Sequence, residues 1–456
     1  MIDFFHEDPN WQAFAISISI TTFSGLLLIF ANRPVGPVKL SVRDTFLLTA
    51  LNWLIVAFYS ALPFIFSNST TTLTDSFFEA ISGLTTTGAS VIDGLDLTSP
   101  GIVLWRSLLQ WFGGIGIIIM ALTVMPILRI GGMQLFRNEF SDRSEKILPH
   151  VSQIANAILS TYVLFTVLCG FLLWLAGMNV LDAVCHALST ISTGGFSTVS
   201  ASIASFDNPL IEIILIIFML IGGITLILFV KLFQGDIRSL FQDSQVRVFI
   251  AIAIFSSLSL AAWRYNEGVP FMLALRESTF NAVSVLTTTG YSTADYHLWG
   301  SFPVMIFFML MMLGGCTGST SGGIKIFRYQ IMFSVARSQF AQLRRPHGIF
   351  LPTYNHSPIP DGIFTSVFTF FALFVICVGL MAIALSFYDL DFITATSAAV
   401  AALNNIGPGL GHIIGPDATY SFLPDSAKWI LMIGMILGRL EYVTIIILLS
   451  PGFWKD

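Results

Sequence analysis

Four short segments of the chain end in the same polar pattern, in which hydroxyl or amide side chains stand shortly before a glycine. The glycines are Gly88, Gly195, Gly290 and Gly407, at spacings of 107, 95 and 117 residues. Each pattern follows an apolar run of about 10 to 14 residues, which is too short to cross a membrane and is typical of a re-entrant segment. Such self-similarity indicates one unit repeated four times, namely helix, half-helix with loop, helix.

These residue types favour the binding of a dehydrated monovalent cation by main-chain oxygens. Non-helical backbone at membrane depth must be buried in protein or line a wet cavity, so the four loops must meet in one polar space. Rings of carbonyl oxygens there can replace the hydration shell of an ion. The carboxyl ends of the half-helices add partial negative charge. Glycine permits the backbone conformations that aim successive carbonyls at one axis. A small-residue packing motif is the alternative for any single loop.

The composition predicts the helices that must hold such loops. Of the 456 residues, 55% are hydrophobic and only 10% are charged, against about 25% charged in soluble domains. Apolar stretches long enough to cross a bilayer predict about nine membrane-spanning helices. They lie at 11–31, 44–67, 102–128, 152–177, 209–230, 246–265, 302–336, 362–387 and 426–449.

The predicted fold is therefore an all-α polytopic membrane protein. Four helix–pore-loop–helix repeats surround a central pore with pseudo-fourfold symmetry, and one extra helix precedes them. Residues 1–43 hold the extra helix and a cytoplasmic linker, and the repeats follow at 44–146, 147–245, 246–350 and 351–456. The first apolar run continues to Phe30 without a cleavage site, so we expect a retained helix and not a signal peptide.

Charge predicts the orientation, because cytoplasmic loops retain Lys and Arg. The basic loops are 33–43, 129–146, 231–247 and 325–345, which we place inside. They either dock a regulatory partner or only set the topology. The opposite loops are acidic and would concentrate cations outside; their residues are Asp93, Asp96, Asp207, Asp295, Asp417 and Asp425. The four cysteines are scattered and predict neither a disulfide framework nor a metal site. His186, four residues after Asp182, could pair with it on a metal, but the repeat explains that segment without one.

The chain closely resembles the Trk/Ktr/HKT superfamily of potassium transporters, within it the TrkH and TrkG branch. The resemblance covers nearly the whole chain and is carried by SGLTTTGAS, STGGFST, LTTTGYST, GGCTGSTSGGIK, LNNIGPGLG and GRLEYVTIIILLSPGFW. It implies K⁺ as the transported ion and no other cofactor. It also implies a bacterial inner-membrane location, a homodimer with one pore per protomer, and a cytoplasmic nucleotide-binding regulatory subunit of the TrkA kind. No nucleic-acid partner is implied. Related TrkH proteins usually carry one more helix before the helix at 11–31.

The resemblance also implies which residues coordinate the ion, and Gly88 in place of serine favours K⁺ over Na⁺. The implied selectivity filter consists of Thr86, Thr87, Gly88, Thr193, Gly194, Gly195, Thr288, Thr289, Gly290, Asn405, Ile406 and Gly407.

A glycine-rich stretch interrupts the span 302–336. Five glycines within residues 314–323 cannot hold a continuous helix, because each costs about 1 kcal/mol relative to alanine. We expect an intramembrane loop there, which the resemblance makes the gate, with a packing kink as the alternative. The implied gate consists of Gly314, Gly315, Gly318, Ser319, Gly322, Gly323, Lys325 and Arg439.

Two charged residues of that gate need their own explanation. An arginine inside a span marks a functional site by default, and by the resemblance Arg439 points into the pore; pairing with Glu441 is the alternative. Lys325 could snorkel to the inner surface.

The expected activity is passive, gated permeation of K⁺. A symporter coupling K⁺ to Na⁺ or H⁺ is one alternative, and an intramembrane enzyme is a remote one, because no nucleophile and base stand on facing spans. No GxxxxGK[ST] loop occurs, so nucleotide dependence must reside in a partner.

Overall fold

The computed structural model describes residues 2–5, 8–32, 41–67, 69–123, 151–355, 357–360 and 362–454. Residues 33–40 of the predicted basic loop 33–43, the predicted basic loop 129–146 and the end of the third predicted span at 124–128 lie outside these residues.

The described residues form α-helices, five short 3₁₀-helices and a single two-stranded hairpin. Helices α1 to α9 are Ile2–Phe5, Trp11–Ala31, Val42–Ser67, Leu73–Leu84, Pro100–Thr123, Val151–Leu175, Val180–Ile191, Pro209–Gly223 and Leu226–Phe233. Helices α10 to α18 are Ile237–Gln242, Ser244–Asn266, Phe271–Leu286, Ser301–Met311, Ile326–Arg344, Ile363–Ser386, Phe392–Asn404, Asp425–Arg439 and Tyr442–Leu449. Strands β1 (Thr353–Tyr354) and β2 (Ser357–Pro358) pair antiparallel.

Six of these helices are long and apolar enough to cross a membrane, and the bent pair α8 and α9 would make a seventh crossing. They coincide with predicted spans. The remaining two predicted spans are each divided into two helices, α13 with α14 and α17 with α18.

Four short helices, α4, α7, α12 and α16, are the predicted half-helices. Three of them begin at side-chain caps, which satisfy the backbone N–H groups of the first turn. Asn179 accepts from the N–H of Asp182, and Asp391 accepts from those of Ile393 and Thr394. In α4 the cap is a reciprocal capping box between Thr72 and Asp75. The fourth, α12, begins after Pro270 without a side-chain cap.

The half-helices form the centre and the long helices form the periphery. Phe78 and Phe280, on α4 and α12, are completely buried, whereas Phe23 on α2 is 71% exposed. Many buried side chains are polar, including most of the serines and threonines of the four half-helices. This arrangement suits a chain whose solvent at the periphery is hydrocarbon and whose interior is polar.

Two predicted spans that we expected to be continuous, 209–230 and 426–449, are broken. The first bends by 100° between α8 and α9. The helix ends because the carbonyls of Gly222 and Gly223 accept hydrogen bonds from the backbone N–H groups of Thr320 and Cys316, at 3.3 and 2.8 Å, instead of from the next turn of the helix. The second breaks at Glu441, which has a φ of +64° and a carboxylate bonded to Arg328 at 2.6 Å.

Candidate ion-binding pore

The four glycines of the repeated pattern lie in one closed ring. A Cβ atom on Gly88 would stand 2.2 Å from the Gly194 carbonyl oxygen, and one on Gly195 would stand 1.8 Å from that of Thr289. From Gly290 the nearest atoms belong to Pro408 and Gly407, and from Gly407 they belong to Gly88. Each loop therefore contacts the next, in the order one, two, three, four and back to one.

All four half-helices end in the same backbone motif. The N–H of the second loop residue bonds to the carbonyl five positions earlier: Thr87 to Ser82, Gly194 to Ser189, Thr289 to Ser284, and Ile406 to Ala401, at 2.8 to 2.9 Å. This is the Schellman arrangement, which requires a left-handed residue just before. The left-handed residues are Thr86, Thr193, Thr288 and Asn405, with φ between 51° and 60°.

Threonine in the left-handed region is strained, and we did not predict it. Such a backbone conformation costs on the order of 1–3 kcal/mol and persists where the surroundings over-determine it. In the first three loops the glycine two positions later also has positive φ, from 82° to 88°. Alternating signs of φ turn neighbouring peptide groups to the same side, the geometry that a line of carbonyl ligands requires. Gly407 departs from this pattern, since it is not among the residues of positive φ.

Hydrogen bonds of the Gln110 and Asn405 side chains hold the loops in position. The Gln110 amide donates to the Gly194 carbonyl at 2.6 Å, and its oxygen accepts from Ser189 and from the Phe196 N–H. The Asn405 amide bonds to the Thr87 hydroxyl and to the Met435 carbonyl.

Some buried oxygens at the loops remain without protein partners. Thr86 Oγ1 and Asn405 Oδ1 are inaccessible and accept or donate no hydrogen bond among the described residues. An unsatisfied buried oxygen costs about 1–3 kcal/mol, and a cation or its water would supply the missing partner. Carbonyl and hydroxyl oxygens are the ligand type that hard cations prefer, so the residues at the ring fit a bound K⁺.

A buried ion pair links the first two loops, and we did not identify it from the sequence. Arg106 bonds to Glu79 at 2.6 Å, with both side chains at most 1% exposed. The guanidinium also donates to the Ser197 carbonyl and to the Ser90 hydroxyl, and lies 4.0 Å from the Phe196 ring centroid. The carboxylate of Glu79 accepts from the Val91 N–H at 3.0 Å.

A second buried pair joins the first half-helix to the last crossing. Lys428 bonds to Asp75 at 2.6 Å, both side chains being 4% exposed. The sequence signal for both pairs was present, because Glu79, Arg106 and Lys428 are ionisable residues in or beside apolar runs, which mark functional sites by default.

Outside the ring lies a cavity of about 170 Å³ that all four glycines line. Asp93 and Asp417, two of the predicted outer acidic residues, also line it. Burial, and secondarily the negative charge of Asp295, raises the pKa of the Asp417 carboxyl above its usual value. As pH falls, Asp417 will therefore lose its charge earlier than an ordinary aspartate, which weakens the attraction of this entrance for cations.

On the other side of the ring, the residues between α13 and α14 form an irregular loop that fills the passage. The Gly322 N–H bonds to the Thr288 hydroxyl at 2.7 Å, and the Gly323 N–H bonds to the Asn404 carbonyl at 2.9 Å. The adjoining cavity has a volume of only about 30 Å³, room for about one water molecule. The loop thus lies directly beneath the predicted filter.

The charged residues near this loop are arranged differently from some of our expectations. Arg439 donates to the carbonyls of Thr320 and Gly113, at 3.1 and 3.2 Å. Its alternative partner Glu441 is bound to Arg328 instead. Lys325 does not snorkel outward: its ammonium group bonds to the Ser321 carbonyl and to the hydroxyls of Ser319 and Ser321.

The predicted metal alternative at His186 finds no additional support in the described residues. The ring of His186 lies between the Asp182 carbonyl and the Ser197 hydroxyl, at 2.8 and 3.1 Å. Among the described residues, no group of three or more metal-ligating side chains occurs.

Comparison with known proteins matches this architecture to one family. The model of the TrkH family, described as "Cation transport protein", matches residues 10–455. The Trk system potassium uptake protein TrkI of Halomonas elongata is 40% identical over 451 residues, which cover 99% of this chain and 92% of TrkI. TrkH of Escherichia coli strain K12 is 35% identical over 462 residues, which cover 100% of this chain and 95% of that protein. The crystal structure of the potassium transporter TrkH from Vibrio parahaemolyticus matches with a TM-score of 0.90 at 32% identity, over 100% of this chain and 94% of that one. The predicted all-α polytopic fold is confirmed by this match.

Proposed function

Because the chain belongs to the TrkH family of cation transport proteins, we propose that it takes up K⁺ across the bacterial inner membrane as the membrane subunit of a Trk-type system. The relatives named above are potassium uptake proteins and a potassium transporter. The observation that carries the proposal is the closed ring of Gly88, Gly195, Gly290 and Gly407 around one passage. The family is one of transport proteins, not of enzymes.

The filter in this proposal comprises the oxygens of Thr86, Thr87 and Gly88 with their counterparts in the other three loops. Carbonyls of the ring replace water around the ion, and the orphaned oxygens of Thr86 and Asn405 add ligands at the inner end. The carbonyls of Gly194 and Gly407 accept bonds from Gln110 and from the Tyr420 hydroxyl, so these two oxygens face protein donors and the bonds hold their loops in place. An inside-negative potential then drives entry by about 2.3 kcal/mol per charge per 100 mV.

A measurement of reversal potential tests permeation against coupled transport. With purified protein in planar bilayers, we expect the zero-current voltage to move by about 59 mV for each tenfold change in the K⁺ ratio. Gradients of Na⁺ or H⁺ at a fixed K⁺ ratio should leave it unchanged. A shift that follows the Na⁺ or H⁺ gradient would replace the channel mechanism by symport.

The gate in this proposal is the loop at 314–323, held by Arg439. The guanidinium joins the Thr320 carbonyl in the loop to the Gly113 carbonyl in α5, and its charge stands in the path of cations. The loop has to move for ions to pass, because the space beside it holds about one water molecule.

Replacing Arg439 with alanine should open this gate. Hydrogen bonds from charged groups contribute about 1.5–3 kcal/mol each. The loss of even one of the two bonds therefore predicts that K⁺ flux without any partner protein rises by at least about tenfold. Flux of ⁸⁶Rb⁺ into proteoliposomes measures it, with Arg439→Lys expected to be intermediate because it keeps the charge but not both bonds. Arg238→Ala, at an exposed arginine of α10 far from the loop in sequence, serves as the matched control. Unchanged flux in correctly folded Arg439→Ala would remove Arg439 from the gate.

The homodimer and the regulatory subunit of the TrkA kind complete the proposal. The latter would reach the loop at 314–323 from the cytoplasmic side, through α14 and the hairpin β1–β2, because the basic residues of 325–345 place that side inside. Nucleotide control would then enter through the partner.

A further inference from the structure

The four left-handed residues at the ends of the half-helices form the inner end of the ring. They are Thr86, Thr193, Thr288 and Asn405, and each is at most 1% exposed. The glycine two positions after each of them lines the outer cavity, whereas Asn405 itself lines the small cavity beneath the filter. We call these four the inner-end residues, and we call the loop at 314–323 the gate loop.

The inner-end residues differ in what their side-chain oxygens contact. Thr86 Oγ1 and Asn405 Oδ1 are buried and have no hydrogen-bond partner within the described part of the chain. In contrast, the Thr288 hydroxyl oxygen accepts a hydrogen bond from the backbone N–H of Gly322, at 2.7 Å. One oxygen of the inner end is therefore bound directly by the gate loop.

The gate loop packs tightly against the filter around this hydrogen bond. A Cβ on Gly322 would stand 2.3 Å from the Asn404 carbonyl oxygen, and the same carbonyl accepts from the Gly323 N–H at 2.9 Å. The Thr320 hydroxyl lies 3.5 Å from the Thr193 hydroxyl of the second filter loop. The gate loop thus closes the inner end of the ring by contacts with three of the four filter loops.

A K⁺ ion at the inner end of the ring would compete with the gate loop for the Thr288 oxygen. An N–H group and a cation both bind to lone pairs of an oxygen, and a hydroxyl has only two. The partial positive charge of the Gly322 N–H also repels a cation that approaches the same atom. Arg439 and Lys325 add to this repulsion, because both cations bond to the gate loop.

We propose that the Thr288 hydroxyl binds two partners in turn. While Gly322 donates to it, the gate loop is closed; when the gate loop moves away, the same oxygen coordinates the innermost K⁺. K⁺ at this position therefore favours the open gate, and by reciprocity an open gate binds this K⁺ more tightly. The proposal rests on the proposed function of the gate loop and makes the transported ion its activator. Thr288 becomes a positioning residue of the gate.

The pseudo-symmetry of the ring supplies a matched control at Thr86. Thr86 and Thr288 are both left-handed threonines, with φ of 55° and 60°, but the Thr86 hydroxyl makes no hydrogen bond to the described residues of the gate loop. Valine at either position replaces the hydroxyl by a methyl group and keeps the branched Cβ, so the conformational cost changes equally in the two variants. Only the valine at 288 removes a bond to the gate loop.

Single-channel recording in planar bilayers tests the proposal, because open probability reports on the gate and unitary current reports on the ion path. Purified wild type, Thr288→Val, Thr288→Ser and Thr86→Val are compared at fixed voltage and ionic strength, with K⁺ replaced stepwise by N-methyl-D-glucamine. We expect the open probability of the wild type to rise with K⁺. Thr288→Val should raise it about fivefold at low K⁺, since one neutral hydrogen bond is lost, and should flatten its dependence on K⁺.

The control variants are expected to separate the hydroxyl from the gate. Thr288→Ser keeps the hydroxyl and should behave like the wild type, whereas Thr86→Val should lower the unitary current and leave the open probability at low K⁺ unchanged. Gly322→Ala displaces the gate loop from Asn404 and gives a second variant, which should raise the open probability as Thr288→Val does. Equal open probabilities in Thr288→Val and Thr86→Val would overturn the role of Thr288, and a wild-type open probability independent of K⁺ would overturn the competition.

Arg439→Ala, recorded in parallel, distinguishes failure of this proposal from failure of the proposed gate. If Arg439→Ala raises the open probability and Thr288→Val does not, the gate stands and the role of Thr288 is refuted. If Thr288→Val raises it and Arg439→Ala does not, Thr288 is retained and Arg439 is not part of the gate. If neither variant raises it, the gate loop itself is not the gate.

Discussion

Replacing Gly195 with alanine is expected to abolish K⁺ uptake in cells that depend on this protein. The added Cβ would stand 1.8 Å from the Thr289 carbonyl oxygen, and Gly195 has a φ of +82°. The atoms that the Cβ would meet belong to the backbone of Thr289 and Gly290 and not to a flexible side chain, so the backbone itself must shift. This shift would occur where the ring carbonyls have to surround an ion. We expect uptake at micromolar K⁺ to fall by at least about a hundredfold, measured in a strain without other K⁺ transporters.

The variant Gly94→Ala tests whether steric contact of the added Cβ or strain of the backbone conformation causes the loss of uptake in Gly195→Ala. Gly94 also has positive φ, +70°, but nothing lies within 4 Å of its added Cβ, and it belongs to the loop outside the ring. Its alanine variant should pay the same conformational cost, about 1 kcal/mol, and keep most of its uptake. If Gly195→Ala transports K⁺ as well as Gly94→Ala does, while both are folded in the membrane, then the ring of glycines is not the filter.

The sequence alone predicted the positions of the apolar helices and the four glycine-containing loops that meet at the ring. Apolar length predicted where the crossings lie, and the repeated Thr and Gly pattern predicted loops that come together, because both depend on local composition and on the physics of the bilayer. The left-handed threonines were not predictable in the same way. Thr86, Thr193 and Thr288 adopt a conformation that their residue type disfavours, and only the packing of the neighbouring loops makes it the better choice.

The breaks in the crossings show why the remainder could not be predicted. The pair Gly222 and Gly223 weakens the helix just before Ile224, but it does not predict a bend of 100°. The bend depends on N–H groups more than 90 positions away along the chain, in the loop between α13 and α14, which bond to the carbonyls of these two glycines. In the same way, Glu441 follows Arg439 closely in sequence but is drawn to Arg328 on α14. Partners that are distant in sequence carry no local signature.

The buried pair of Arg106 and Glu79 should have the second large effect, on stability as well as on selectivity. Arg106→Met removes one partner and leaves the Glu79 carboxylate buried at 0% exposure, which costs about 3–5 kcal/mol. It also releases the Ser197 carbonyl just beyond Gly195 and the Ser90 hydroxyl just beyond Gly88. We expect a marked loss of thermal stability in detergent, together with a lower preference for K⁺ over Na⁺ in proteoliposome flux.

The double variant Glu79→Met/Arg106→Met distinguishes the two effects. Replacing a buried ion pair as a whole by apolar side chains removes the unpaired charge and is often close to neutral for stability, so the melting temperature should recover most of its loss. The preference for K⁺ should not recover, because the bonds that Arg106 and Glu79 make to the first two loops at Ser197, Ser90 and Val91 are still missing. Recovery of both properties would mean that the pair only stabilises the fold, whereas recovery of stability alone assigns Arg106 and Glu79 to the positioning of the ring.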